Sequence, residues 1–365
     1  MKKKRRKIMK KAAVVMICLS MLLSLVGCGN DAKETTAGST AATTEGSSST
    51  SDATAAASDF PERDLAGYVM WGAGGGTDNL VRPLCTFTQE IMGKSIVVQN
   101  KTGATGAVAT QFVHDQSADG YTLLLGAENP ALYKILNISE LTYDNFETVL
   151  LIGNEDLALV VAPDSPYNTL TELIEAALAD PGAINMATTG DGGSQWEAAA
   201  FIKAVTGAEF TQVPFDGDAA CLTNVMGGIA DFTTIKSTQA MEAHRAGTVK
   251  ILSTLTDHPV EALEGTTPIT DEYPGFQDYL PFGPFYGVFV KEGTPEDVVE
   301  TLAEYFMQGY ESPEYQALLE SFNINPLGLQ GEEANAYIAT WQKAAATALY
   351  KAGVIDKSPE ELGIQ

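Results

Sequence analysis

From residue 61 onward the chain alternates short apolar runs with amphipathic stretches. Runs of four to eight residues rich in β-branched and aromatic side chains, bounded by Gly, Pro, Asn or Asp, read as strands. These fall at 67–71, 95–99, 121–125, 158–162, 184–188, 209–214, 231–235 and 249–255. Between them, apolar residues recur at helical spacing over 78–92, 106–116, 170–179, 195–206, 218–226 and 238–245. The last third reads as mainly helical, with helices over 295–309, 313–321 and 330–352. Strand–helix alternation of this kind predicts an α/β fold built on parallel sheets.

Two strands stand out because a Pro-containing turn follows each. Residues 158–162 run into Pro163-Asp164-Ser165-Pro166, and 287–290 lead to Gly293-Thr294-Pro295. Such a pair could carry the chain out of one lobe and back. The predicted division is then lobe one over 61–160 plus 286–365 and lobe two over 161–285. Two open α/β lobes joined by paired crossovers make a hinged cleft, and ligands of open α/β sheets sit outside the carboxyl ends of the strands.

The N-terminal end has a different pattern. Eight Lys and Arg residues precede an apolar run over 12–26, which ends in Leu25-Val26-Gly27-Cys28-Gly29. A positive segment before a short apolar stretch is an export signal, too short for an ordinary membrane span. Small residues before a cysteine resemble the lipobox of bacterial lipoproteins. That resemblance implies removal of 1–27, a diacylglycerol on Cys28, and anchoring on the outer face of the cytoplasmic membrane, at the cell surface or in a periplasm. Residues 29–59 are almost only Gly, Ala, Ser, Thr, Asp and Glu. They cannot bury enough apolar surface to offset ordering entropy, so 28–60 reads as a lipid-bearing cysteine followed by a disordered tether.

Charge narrows the class further. Removing 1–27 takes away eight cations and no acid, so the formal charge moves from −25 to −33. No basic footprint for nucleic acid remains. Cys85 and Cys221 lie far apart and read as small buried hydrophobes. His114, His244 and His258 show no metal-ligand spacing, and neither metal nor cofactor is expected.

The candidate chemistry lies in loops. Trp71-Gly72-Ala73-Gly74-Gly75-Gly76-Thr77-Asp78 follows a strand and opens a helix. Glycines let backbone approach a ligand, and free N–H groups at a helix start favour a carboxylate or phosphate. The loop lacks the Gly-Lys-Ser/Thr of a Walker A motif and does not match the dinucleotide fingerprint cleanly. Thr188-Thr189-Gly190-Asp191-Gly192-Gly193-Ser194 repeats the logic in the other predicted lobe. Gly126-Ala127-Glu128 with Asn129, and Phe215-Asp216 with Gly217-Asp218, are further candidate walls. Asp78 and Arg82 share a helical face and read as an ion pair that positions the loop. Trp71 is either an apolar wall of the site or core.

Taken in order, these segments resemble the tripartite tricarboxylate transporter receptors, also called the TctC or Bug family. Trp71-Gly72-Ala73-Gly74-Gly75-Gly76-Thr77-Asp78-Asn79-Leu80-Val81-Arg82 resembles its Pro-Phe-x-x-Gly-Gly-x-x-Asp…Arg segment. Val97-Val98-Gln99-Asn100-Lys101-Thr102-Gly103-Ala104-Thr105-Gly106 resembles its Val-Glu-Asn-Arg-Pro-Gly-Ala-Gly-Gly segment. Asp119-Gly120-Tyr121-Thr122-Leu123 matches its Asp-Gly-Tyr-Thr-Leu signature. Gly190 to Ser194 and Val213-Pro214-Phe215-Asp216-Gly217 resemble its second-lobe loop and its Val-Pro-Tyr-Lys-Gly turn. The resemblance implies a two-lobe periplasmic-binding-protein-like (venus flytrap) fold. It also implies a carboxylate held by Gly75, Gly76, Thr77 and Asp78 from one lobe and Gly192, Gly193 and Ser194 from the other. The protein would act as a monomer and deliver its cargo to a two-subunit membrane permease. Where Phe215-Asp216 replaces Tyr-Lys, a cation is lost near the cleft and a negative charge gained. A ligand with one carboxylate and a neutral or cationic far end then fits better than a tricarboxylate.

Two other readings compete. An exported hydrolase would need a nucleophile with a base, a carboxylate pair or a metal. No Gly-x-Ser-x-Gly or His-Glu-x-x-His segment is present. A binding protein serving an ATP-driven importer would share the two-lobe fold, and a neighbouring permease gene pair would discriminate.

Overall fold

The computed structural model describes residues 60–215 and 217–364. Cys28, the signal over 1–27, the tether up to residue 59, and Asp216 lie outside the described residues.

Eleven strands and ten α-helices alternate along the described chain. The strands are β1 (Leu65–Val69), β2 (Ile96–Asn100), β3 (Thr122–Ala127), β4 (Phe146–Glu155), β5 (Leu157–Val161), β6 (Asn185–Thr188), β7 (Thr211–Pro214), β8 (Phe232–Lys236), β9 (Lys250–Thr254), β10 (Phe285–Lys291) and β11 (Ile324–Leu329). The helices are α1 (Gly76–Met92), α2 (Ala107–His114), α3 (Leu170–Ala179), α4 (Ser194–Thr206), α5 (Asp218–Met226), α6 (Ser237–Arg245), α7 (Ile269–Glu272), α8 (Glu296–Tyr310), α9 (Pro313–Ser321) and α10 (Gly331–Lys351).

Two sheets result. The first has the order β11-β4-β10-β3-β1-β2 and the second β7-β6-β8-β5-β9. Both are mixed rather than wholly parallel. β1 pairs in parallel with β2 and β3, but β10 lies antiparallel between β3 and β4. β6 is parallel to β7 and β8, whereas β5 runs antiparallel to β8 and β9. The returning strand β10 and the outgoing strand β5 account for four of the antiparallel pairs, since each enters a sheet from outside its βαβ succession, and the edge strand β11 adds a fifth against β4.

The passage between sheets falls at Asp156, earlier than the position after residue 160 read from sequence. Leu157–Val161 is wholly buried and pairs inside the second sheet. The preceding β4 was not assigned from sequence, although Val149 to Ile152 are all 0% exposed. β11 was also not assigned, since it falls between the helices read at 313–321 and 330–352. Pro326 and Gly328 inside β11 weaken its strand pattern, and this edge strand shows an irregular register with β4.

Local chemistry sets the helix that matters most. α1 buries Leu80, Val81, Leu84, Cys85, Thr88 and Met92, a stripe at helical spacing. It ends at Gly93, whose φ of 72° suits a residue without Cβ. Cys85 and Cys221 are both unpaired and buried, and burial pushes each thiol up to about 12. Among the described residues no helix is long and apolar enough to cross a membrane.

Candidate functional site

The two Gly-rich loops each run straight into a helix. α1 begins at Gly76, two residues before the expected start, with Gly75 as its N-cap. α4 begins at Ser194 with Gly193 as its N-cap. Neither N-cap supplies a side-chain hydrogen bond. The first N–H groups of a helix have no partner inside it, so Gly76, Thr77 and Asp78 on one side and Ser194, Gln195 and Trp196 on the other present free donors. The helix dipole adds positive potential at both ends. Gly74 (φ 75°) and Gly192 (φ 76°) take left-handed turns that deliver the chain to these starts.

Asp78 holds the first loop in place. Its carboxylate accepts from Gly74 N at 3.0 Å, Asn100 Nδ2 at 2.9 Å and Arg82 Nη2 at 2.6 Å. Burial would raise its pKa, but the hydrogen bonds from Arg82, Gly74 and Asn100 outweigh that and hold the carboxyl below its usual value. The ion-pair reading of Arg82 is the one the geometry supports, and the Asp78 side chain is committed to the loop. Asp78→Ala is expected to destabilise the fold by about 2–3 kcal/mol through these charge-assisted bonds. The ion pair itself adds little because Arg82 is partly solvated. Urea unfolding of the variant beside the native chain measures it.

The third loop joins the other two. Trp71 Nε1 donates to Asn129 Oδ1 at 3.3 Å, and Asn129 Nδ2 donates to the Gly192 carbonyl at 3.3 Å and to Glu128 Oε1 at 3.0 Å. Trp71, Glu128, Asn129 and Gly192 are thereby brought together across the two sheets. Gly192 also lies against Leu136 and Ile138. Gly126 and Ala127, by contrast, belong to β3 and pack within the first sheet, where Ala127 N–H meets Met70 and its carbonyl meets the Tyr143 hydroxyl. Thr188 is buried at the end of β6, and its carbonyl accepts from Phe215 N at 2.8 Å. Phe215 packs against the cluster formed by Ala187 of β6, Cys221 and Val225 of α5, and Ala230. Thr189 Oγ1 donates to Gln195 Oε1 at 2.8 Å, and a Cβ on Gly193 would run into that hydroxyl.

The structure adds a cation that the sequence reading had not placed. Lys236, at the carboxyl end of β8, reaches across to the first loop, and a Cβ on Gly76 would run into its Nζ and lie 3.0 Å from Tyr286 Oη. Its side chain is 16% exposed and stands 3.6 Å from Asp218. Burial opposes its charge, but the carboxylates of Asp218, Glu155 and Glu128 outweigh that and raise its pKa. Glu155 accepts from Tyr286 Oη at 2.8 Å and from Thr238 Oγ1 at 3.3 Å, and Asp218 accepts from Gln195 Nε2 at 2.8 Å. Burial pushes both Glu128 and Glu155 up to about 7 despite Lys236. Lys236, Glu155, Gln195 and Glu197 were all outside the sequence-derived site, whereas Asp218 ends the Phe215-Asp216-Gly217-Asp218 segment read there as a candidate wall. The signal available for Lys236 was its place at the carboxyl end of a parallel strand, directly before a helix. The cation that the Phe215-Asp216 turn lacks is therefore present from another strand, and Asp218 is an acid that meets it.

Comparison with known proteins agrees with this architecture. The family model for tripartite tricarboxylate transporter family receptors matches residues 80–353. A UPF0065 protein of Bordetella pertussis is 27% identical over 293 residues, covering 78% of this chain and 88% of that protein. The periplasmic binding protein BugD is similar in structure with a TM-score of 0.71 and 25% identity, over 81% of this chain and 99% of BugD. A Rhodopseudomonas palustris protein solved with adipate has the same fold, with a TM-score of 0.71 and 23% identity over 81% of this chain and 99% of that one. The chain thus belongs to the tripartite tricarboxylate transporter receptor (TctC/Bug) family and is a solute-binding receptor with an α/β two-sheet periplasmic-binding-protein fold, not an enzyme.

Proposed function

We propose that this receptor captures a small carboxylate-bearing organic molecule between two lobes, one on each sheet, and hands it to a two-subunit membrane permease. The supporting observation is that two helices begin without side-chain caps, at glycine loops tied together through Trp71, Asn129 and Gly192. Free N–H groups from both helices can share one carboxylate, which is the chemistry a helix start favours. The adipate in the related R. palustris structure is consistent with a carboxylate cargo. Gly75, Gly76, Thr77 and the Asp78 amide serve one side, and Gly193 and Ser194 the other. Capture in the open state followed by closure needs only a higher affinity of the ligand for the closed state. The lobe boundaries are taken from the sheets, with the first passage at Asp156 and the return at β10. Lipidation at Cys28 and residence outside the cytoplasmic membrane complete the proposal.

The test is thermal unfolding of the full chain with mono-, di- and tricarboxylates, each beside its amide. A ligand at 100 times its dissociation constant should stabilise the fold by about 2.7 kcal/mol. Carboxylates should raise the melting temperature and their amides should not. Stabilisation by sugars or amides alone would remove the carboxylate chemistry.

A further inference from the structure

Three carboxylate oxygens at the meeting of the loops have no partner. Glu128 Oε2 and both oxygens of Glu197 are buried without a hydrogen bond among the described residues. Glu128 is 5% exposed and Glu197 is 0% exposed. Buried charges are ordinarily paired, and each uncompensated one is costly.

Their position ties them to the cleft. Glu128 shares Asn129 Nδ2 with the Gly192 carbonyl, so its carboxyl stands where the loops of the two sheets touch. Glu197 lies in the first turn of α4, directly after that loop, with its amide bonded to the Gly193 carbonyl. The Glu128 charge adds to burial in pushing the Glu197 pKa well up. Lys236 is already shared among Asp218, Glu155 and Glu128. No cation of the described chain reaches Glu197.

The chemistry of the absent partner follows from this arrangement. A partner there has to donate several hydrogen bonds, and one that carries positive charge would hold both carboxyls ionised. A primary ammonium is compact, has three donors and no acceptor, and makes strong charge-assisted bonds to carboxylates. A divalent cation would need more oxygen ligands, and among the described residues no group of three or more His, Cys, Asp or Glu is placed to hold one.

We infer that Glu128 and Glu197 form a subsite for the primary ammonium group of the ligand whose carboxylate is held at the starts of α1 and α4. The cargo is then an amino acid or a related amino-bearing carboxylate. This inference rests on the carboxylate reading above.

The experiment is calorimetric titration of the full chain with a panel of L-amino acids and with the same acids lacking the amino group, such as glutamate against glutarate and alanine against propionate. At least one amino acid should bind about tenfold or more tightly than its matched acid, as expected for a charge-assisted ammonium contact. Glu197→Gln should erase that preference while the matched acid binds as before. Glu128→Gln provides the same test should the first variant fold poorly. Equal binding of amino acids and matched acids by the native chain, or a preference retained in both glutamine variants, would overturn the ammonium subsite and leave the carboxylate reading intact. Failure of every carboxylate to bind, with or without an amino group, would remove both.

Discussion

Lys236→Met is expected to lower the unfolding free energy by about 3 kcal/mol at pH 8, the lower end of the cost of removing one partner from a buried ion pair, because Lys236 and Asp218 keep part of their exposure. Lys236 stands 3.6 Å from Asp218, and its charge is also felt by Glu155 and Glu128. Removing it leaves those carboxylates without a cation. Glu128 and Glu155 already have folded pKa values raised to about 7, above an ordinary value of 4.5. A carboxyl raised in the folded state binds more protons folded than unfolded between those two values. Stability therefore falls as pH rises from about 4.5 through about 7. Asp156 and His258, both raised, act in the same sense. Asp78 and Asp257 are lowered, so their contributions are lost only in acid, below about pH 3.8. The native chain should thus be more stable toward urea at pH 5 than at pH 8. The Lys236→Met deficit should shrink over the same interval, because the orphaned carboxyls can take protons. A deficit that is small at pH 8, or that grows toward pH 5, would show that Lys236 does not balance this cluster.

Gly76→Ala should produce the largest loss of binding with little loss of fold. Gly76 is the first residue of α1, where alanine is as well accommodated as glycine and commonly better. Within α1 itself the substitution has no steric cost. The main obstacle comes from the second sheet, because a Cβ would run into Lys236 Nζ, while Tyr286 Oη of the first sheet would lie 3.0 Å away. Moving the Lys236 ammonium aside disturbs its 3.6 Å contact with Asp218. The added methyl group should therefore oppose the apposed arrangement of the two loops and lower carboxylate affinity by about tenfold or more, equivalent to about 1.4 kcal/mol. Gly72→Ala is the matched control, since a Cβ there has nothing within 4 Å. It should bind as the native chain does. Calorimetric titration of both variants with the acid most stabilising in the thermal panel, together with urea unfolding, separates binding from fold. Unchanged affinity in Gly76→Ala would place the ligand away from the start of α1.

The features legible in the sequence share one property, which is that they are local. The Gly-rich turns before α1 and α4, the glycine that stops α1 at Gly93, and the Asp78–Arg82 pair four residues apart on one helical face all involve neighbours along the chain. Local backbone freedom and helical spacing determine them, so residue order is enough to read them. The same is true of most strand–helix alternation. Tertiary structure decided the rest. Leu157–Val161 reads as a buried strand in either sheet, and only its pairing with β8 and β9 assigns it to the second. The antiparallel insertion of β10 between β3 and β4 depends on strand order, which hydrophobic pattern does not specify. The polar centre of the site is the clearest case. Tyr286 meets Glu155 across 131 residues of chain, and Asn129 meets Gly192 across 63. Lys236 becomes a cleft cation only because β8 ends opposite Gly76. In sequence Tyr286, Glu155 and Lys236 are unremarkable polar residues, and nothing in residue order shows that Asn129 and Gly192 would meet. The pKa shifts of Glu155, Tyr286 and Lys236 arise from burial together, which exists only after β4, β8 and β10 have been brought close.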